Sequence, residues 1–565
     1  MQIASAYGVD DVGLVGYWKI AGDCRDYSGG EHHGTNHGVH LSESLFDGNE
    51  AYIEIPDAPA MQFGKRDFSI SADVYTDAAL TDVIGDIVTK FDGSARRGLN
   101  LTVSESNPGY NSQADTRNVF FGVDDGTTGQ WQDCGRPGGG ATHISDALTV
   151  FDGHLYAGTT DGEKESDWAH VYRYDGNKKW IDCGRLGDGK TRGVYAMIVH
   201  DGELYAATTS SHGQQPPEMD AGRVYRYRGE KNWEDLGAPG KNCRVNALAT
   251  FNGKLYAAAF NINYTSKAEP GHCYVYEGGK TWRECGEFNG WPHSLAVNDG
   301  RLYAAYPQGE VYEYDGTSWR NLGNPHRTHE ACNQIHSLGV YRGELYEGSW
   351  PQGRVAVWRN GQWIDLGQLG DSTEVIGLTV YNGCFYAGTI PRAEVFRFDP
   401  GDKWTSVGRL YDPPEFEPAP VGSGAHEVQD WTRASSLAVF DGKLFSSTAT
   451  CYREMIDPAV SSEARGTVYS YAAGAGLSLD RDLGAGWHSV AAVRRGKTLS
   501  IYADGKLAMT RTCDEDPLDV SNAEPLLIGN GPQGPFSGKI REVRLYNRAL
   551  ADSEVLELEK TLPDR

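Results

Sequence analysis

The sequence predicts an all-β protein, a seven-bladed β-propeller inserted into a split β-sandwich. Three observations carry that expectation. One phrase, an apolar run, a tight turn and then Leu-Tyr-Ala or a close variant, occurs seven times. A second phrase built on Trp also occurs seven times, one strand out of step with the first. The stretches before and after the repeats do not make a complete domain separately.

The turn phrase reads FDGHLYAGT from Phe151, HDGELYAAT from His200, FNGKLYAAA from Phe251 and NDGRLYAAY from Asn298. It continues as YRGELYEGS from Tyr341, YNGCFYAGT from Tyr381 and FDGKLFSST from Phe440. A spacing of 40 to 59 residues with several short strands per unit is the signature of a propeller. Each repeat divides into four strand-like pieces, as in VNALATF, LYAAA, RVYRYRG and the Trp phrase; the alternation in the third marks a strand with one buried face. The Trp phrase starts at Trp180, Trp233, Trp282, Trp319, Trp363 and Trp404, and also at Trp131, ahead of the first turn phrase. None follows VYSYAAG in the last repeat. The strand at Gln130–Gly135 is therefore expected to complete the last repeat, closing the ring and removing an exposed sheet edge. Seven blades then span about 129–476.

The flanks, 1–128 and 477–565, carry GLVGYW and FSISADVYTD on one side and GWHSVAAVRRGKTLSIYADGKL on the other. Trp487 before an alternating strand, Tyr502–Asp504–Gly505 at a hairpin, and Gly538–Val543 leading into Leu545–Leu550 resemble the laminin-G-like, concanavalin-A-type jelly roll. Arg541 departs from that pattern, which usually has an acid there. Joined, the flanks make one complete jelly roll, and an insertion at a loop is tolerated where its two ends lie close together. The run after Asp552 reads as a capping helix.

A net charge of −25 argues against a nucleic-acid partner, although a locally basic pocket could still take an anionic sugar. No apolar stretch is long enough to span a membrane. The first residues lack a basic-then-apolar leader, which fits a cytoplasmic protein or one whose leader has been removed; the second, secreted or periplasmic, is the favoured expectation. Cys134, Cys183 and Cys285 occupy a slot that holds Leu in other repeats and read as small buried apolar residues. Whether Cys243, Cys273, Cys384 and Cys451 pair is left open.

In a propeller, the loops entering the first strands share one face with those between second and third strands. Six residues before each turn stand Asp146, Tyr195, Asn246, His293, His336, Ile376 and Ser435. Two residues earlier stand Ile144, Gly193, Arg244, Trp291, Gln334, Glu374 and Arg433. Strict alternation would put both sets on one side of the strand. The other loops of this face add Tyr264, Tyr306, Trp350 and Arg392. Rings stack on sugar faces and guanidinium forks match carboxylates, so this inventory points to a glycan. Each member has a structural alternative: a strand histidine can simply be hydrogen-bonded, and Arg244 and Arg433 can pair with Asp146 and Glu374. Separately, His326, His329 and Cys332 are spaced as zinc ligands can be, more consistent with a structural ion (zinc or calcium) than a catalytic one. No cofactor is required.

In architecture and residue types the chain resembles the seven-bladed polysaccharide lyases, such as the ulvan lyases, and enzymes cleaving rhamnose–glucuronate linkages. The resemblance implies β-elimination on an acidic polysaccharide or oligosaccharide: Arg244 and Asn246 grip the uronate carboxylate, His293 or His336 removes the adjacent proton, and the other histidine or Tyr264 protonates the leaving oxygen. Tyr195, Trp291, Trp350, Arg392, Arg433 and Tyr306 would line the substrate. The alternatives are a glycoside hydrolase, which needs two facing carboxylates, and a non-catalytic glycan- or protein-binding propeller.

Overall fold

The computed structural model describes residues 12–82, 84–105, 112–138, 142–162, 165–210, 221–261, 270–306, 309–327, 334–411, 431–451, 466–513 and 516–563. Its repeats form seven four-stranded antiparallel blades, whose inner strands are Thr142–Phe151, Gly193–His200, Arg244–Phe251, Ser294–Asn298, Gln334–Tyr341, Glu374–Tyr381 and Trp431–Phe440. Each inner strand touches the next, and the last touches the first. The seventh blade draws its outer strand from the other end of the insertion: Tyr469 and Ser470 pair with Asp133 and Gln132. Trp131 packs on Tyr471, with ring centroids 5.1 Å apart.

Both phrases have a physical role. At every turn the two central residues have positive φ, as at Asp152 (44°) with Gly153 (77°) and Asn382 (42°) with Gly383 (78°). This is the two-residue type I′ hairpin, in which Asp or Asn followed by Gly is the least strained choice. The Trp residues brace neighbouring blades. The indole N–H groups of Trp180, Trp233, Trp282 and Trp319 donate to the carbonyls of Cys134, Cys183, Leu236 and Cys285 in the preceding blade, at 2.9–3.0 Å. The cysteines in that slot are thiols, as are Cys243, Cys273 and Cys384, while the side chain of Cys451 lies outside what is described.

The flanks build one sandwich. Its first sheet orders Leu14–Trp18, Ser537–Tyr546, Phe68–Thr76, Gly486–Arg495, Thr498–Ala503 and Lys506–Thr512; the second runs from Thr35–His37 to Asn118–Thr128 and Ala473–Ser478. Both halves of the chain contribute to one core, which includes Trp18, Phe46, Phe68, Phe121, Ile501 and Ile540. The chain re-enters the sandwich at Ala473, four residues before the boundary at 477 expected from sequence, because Ala-Gly-Ala-Gly carries no side-chain pattern to mark a strand. Arg541 is accounted for by Asp73, whose carboxylate accepts from its Nε at 2.6 Å, and by the Trp487 ring 3.9 Å away. Helix Asp552–Lys560 covers one face through Val555 and Leu558.

The sandwich sits against the turn end of the propeller. Asp299 N–H donates to Asp82, Asp441 N–H to the Asp480 carboxylate and Gly153 N–H to the Asp480 carbonyl, at 2.7–2.8 Å. Arg342 N–H reaches the Gln533 carbonyl, and Asn382 is held between Asn100 and the Ala473 carbonyl. The segment from Ser112 to Ala114 goes further, to the inner strands of blades three and four: Gln113 exchanges two hydrogen bonds with Val297, and Ser112 Oγ accepts from Leu248 N–H. Hydroxyls from the preceding blade, Ser436 and Ser294, fill that last role for Leu148 and Leu338. Blade two has Ala196 in the corresponding place, and the sandwich supplies the missing hydroxyl. The beginnings of the inner strands therefore lie at the end away from the sandwich.

Candidate functional site

The positions six before each turn share a feature that strict alternation does not anticipate. In six blades the inner strand has a register shift there, between Ser145 and Ala147, Val194 and Ala196, Val245 and Ala247, Ile335 and Ser337, Val375 and Gly377, and Ala434 and Leu437. A bulge inserts an unpaired residue and re-aims its side chain. In blade four the regular strand begins at Ser294, leaving His293 just outside it.

Two of these residues meet. The imidazoles of His293 and His336 stack with centroids 4.2 Å apart and planes 18° apart. His336 is anchored on both sides: its Nδ1 lies 2.7 Å from Glu374 Oε1, and its Nε2 lies 2.9 Å from Gln334 Oε1. Glu374 in turn faces Arg433, whose Nη2 is 3.4 Å from Oε2, so the Arg433–Glu374 pairing that the sequence allowed is present. Burial alone would push the Glu374 carboxyl up, but Arg433 and His336 hold it at about 2. His293 is the opposite case. It is buried, and neither ring nitrogen has a hydrogen-bond partner among the described residues. Burial first, then the positive charges of His336, Arg244 and Arg433, hold its imidazole well below the ordinary value. It is a neutral base with free lone-pair capacity at neutral pH.

Beside the stack lies an aromatic layer. The Arg244 guanidinium sits 3.6 Å from the Tyr195 ring centroid and 5.5 Å from that of Phe260; Phe260 stacks on Trp291 at 5.7 Å. Among the described residues no carboxylate lies within ion-pair distance of Arg244.

Other expected residues take different roles. Asn246 is fully buried, and its Nδ2 donates to the His293 carbonyl at 2.6 Å; it fixes the backbone of His293 rather than gripping a ligand. Tyr306 follows the strand Arg301–Ala305 and is buried between blades three and four, packed on Phe288 and Tyr312 rather than open to a ligand. Tyr195 is buried beneath Arg244 as a platform. Trp350 is half-buried at the end of Glu344–Trp350, paired with Gln334 through the backbone, and Arg392 lies 3.7 Å from Asp371. Tyr264 lies outside the described residues. Phe260 joins the site without having been named from sequence, while Gln334 and Glu374 stood in the ring of inner-strand positions without a catalytic role. Glu374 was the most legible of the three, an acid opening an otherwise apolar inner strand.

Of the zinc-like set, His329 and Cys332 lie outside the described residues. His326 is completely buried, with Nε2 2.7 Å from Glu347 Oε1 and Nδ1 3.8 Å from Asp365. Burial would lower its pKa, but Glu347 and Asp365 raise it to about 9. A second group with metal-like composition, His272, Glu284 and Glu287, lies on blade three. Its His272–Glu284 contact repeats a cross-strand ion pair found as His170–Asp182, Arg223–Asp235 and Arg354–Asp365 in other blades, which accounts for it without an ion.

A family model of the concanavalin A-like lectin/glucanases superfamily matches residues 430–556. The strands of that range from Ala473 onward belong to the sandwich; those before it complete the last blade. Comparison with curated proteins gives no match. Among solved structures, the chain is similar to the extracellular domain of a putative one-component system from B. thetaiotaomicron, at 13% identity and a TM-score of 0.41, over 60% of this chain and 39% of that one. It is also similar to the WD40 beta propeller domain of Doa1, at 10% identity and a TM-score of 0.41, over 61% of this chain and 97% of that one. The superfamily fits a carbohydrate-related or binding protein. Among the described residues no helix is long and apolar enough to cross a membrane.

Proposed function

We propose that the chain is a carbohydrate-active enzyme, a polysaccharide lyase that cleaves a uronate-containing glycan by β-elimination. One observation carries this reading: a neutral, unpartnered imidazole stacked on a carboxylate-anchored one, beside an arginine with no carboxylate partner among the described residues. Arg244 takes the substrate carboxylate, whose negative charge grows as the adjacent carbon loses its proton. His293 accepts that proton. The C4–O bond breaks as the C4–C5 double bond forms, and the leaving oxygen takes a proton from His336, which Glu374 and Gln334 hold in place. Arg433 keeps Glu374 ionised and so keeps the anchor intact.

The aromatic layer around Arg244 also supports a second reading, a propeller that binds the glycan without cleaving it. The two separate on incubation with uronate polysaccharides, following the ultraviolet absorbance of the unsaturated product. Product formed by the unaltered chain and lost in His293→Ala with binding retained supports the lyase. Binding without product in both forms leaves only the binding reading.

A further inference from the structure

At the far end of the propeller, three depressions along the sandwich junction run into one another. A cavity of 390 Å³ beside Phe91 shares Asn49 and Pro535 with a cleft of 610 Å³ beneath blades four and five. That cleft shares Asp47, Leu80 and Ser537 with a third cavity of 440 Å³ beside Tyr75. The shared linings make one elongated groove. Each section has one half-buried aromatic ring: Phe91, then Trp358, then Tyr75. Amide side chains, Asn49 and Asn298 among them, line it as well. The lining carries six carboxylates against four cationic side chains.

We propose that this groove is a second, non-catalytic binding site for a neutral glycan chain. An extended shape with rings at intervals suits a polymer whose apolar sugar faces stack in succession, and amides with carboxylates suit its hydroxyls. Junctions between domains are where concave sites commonly form. The excess of carboxylates disfavours a uronate chain, in contrast to the arginines at the opposite mouth. The groove and the mouth therefore select different parts of a glycan, and the groove's role is independent of the elimination chemistry.

Isothermal titration of the full chain bearing His293→Ala tests it, with cellohexaose, mannohexaose and xylohexaose as neutral probes and hexagalacturonate and hexalysine as rivals. At least one neutral hexasaccharide is expected to bind. Phe91→Ala, Trp358→Ala and Tyr75→Ala, each checked for an intact melting transition, are expected to weaken it by about tenfold, while Arg244→Ala leaves it unchanged. The three rings lie on separate strands, so one variant that fails to fold leaves two readouts. The proposal is overturned if no neutral probe binds at millimolar concentration, if only hexalysine or hexagalacturonate binds, or if the folded variants bind as the parent does. Lyase activity is measured separately, so its absence does not bear on this result.

Discussion

His293 and His336 occupy the same phrase in adjacent blades and stack at 4.2 Å, yet among the described residues it is His336 whose ring nitrogens lie close to side-chain oxygens, those of Glu374 and Gln334. One repeat element thus presents two electrostatic states side by side. The difference comes from the next blade along: Glu374 and Arg433 lie on the His336 side, while Arg244 lies on the other.

His293→Ala and His336→Ala should each abolish unsaturated product, measured by ultraviolet absorbance. Because burial and nearby cations lower the pKa of His293, the acid limb of kcat/KM should fall below about 6.5, the ordinary histidine value. Arg244→Gln removes one of those cations and should move the limb upward in whatever activity remains. An acid limb at or above the ordinary value in the parent would remove His293 as the base.

Glu374→Gln should reduce activity by about a hundredfold or more, since a positioned general acid contributes on that order. It also has a signature in stability. The folded carboxyl is held at about 2 against about 4.3 unfolded, so its contribution is present above about 4.3 and is lost as pH falls through about 2. Chemical denaturation across that window should show a shallower acid dependence in Glu374→Gln than in the parent.

The His326–Glu347 pair makes the opposite prediction. The folded imidazole is raised to about 9 against about 6.5 unfolded, so the stabilisation is complete below about 6.5 and is lost as pH rises through about 9. Glu347→Gln strands a buried cation and should cost about 3–5 kcal/mol near neutral pH. Denaturant midpoints at pH 6 and pH 10 should differ less in the variant than in the parent.

Ser112→Ala removes the sandwich hydroxyl that accepts from Leu248 N–H, and should destabilise the chain by about 1–3 kcal/mol. Ala196→Ser, which restores the hydroxyl found in other blades, is the expected rescue. Equal midpoints for Ser112→Ala and the parent would mean that Leu248 finds another acceptor.

The ring was readable because its signals are local. Asp-Gly and Asn-Gly turns need positive φ, and an indole reaching one blade back needs a fixed offset, so both recur at countable positions. The closing strand followed from that count. What sequence did not give lies in contacts between residues far apart in the chain. The bulges are backbone events with no required residue type. Asn246 and Tyr306 carry suitable functional groups, but their burial depends on neighbouring strands. The partner of His326 did leave a mark: where other phrases read Leu-Tyr-Ala, the fifth has Glu347, an acid in a slot that is always buried. Ser112 left none, since a serine in a connecting segment has no distinctive pattern.

The two-residue pairing at Gln132–Asp133 looks too short to hold a ring shut. Its neighbours change that. Thr128 pairs with Ala473 in the sandwich, and a few residues on Gln132 pairs with Ser470 in the propeller. The two ladders follow one another along the same pair of chain segments, like a zipper that continues from one garment into the next. Once the sandwich has formed, the propeller's ends meet at high effective concentration, and the entropy of bringing them together has already been spent. The sandwich therefore holds the two ends beside each other and favours reclosure whenever the short pairing frays, so the latch of the propeller is fastened in the neighbouring domain.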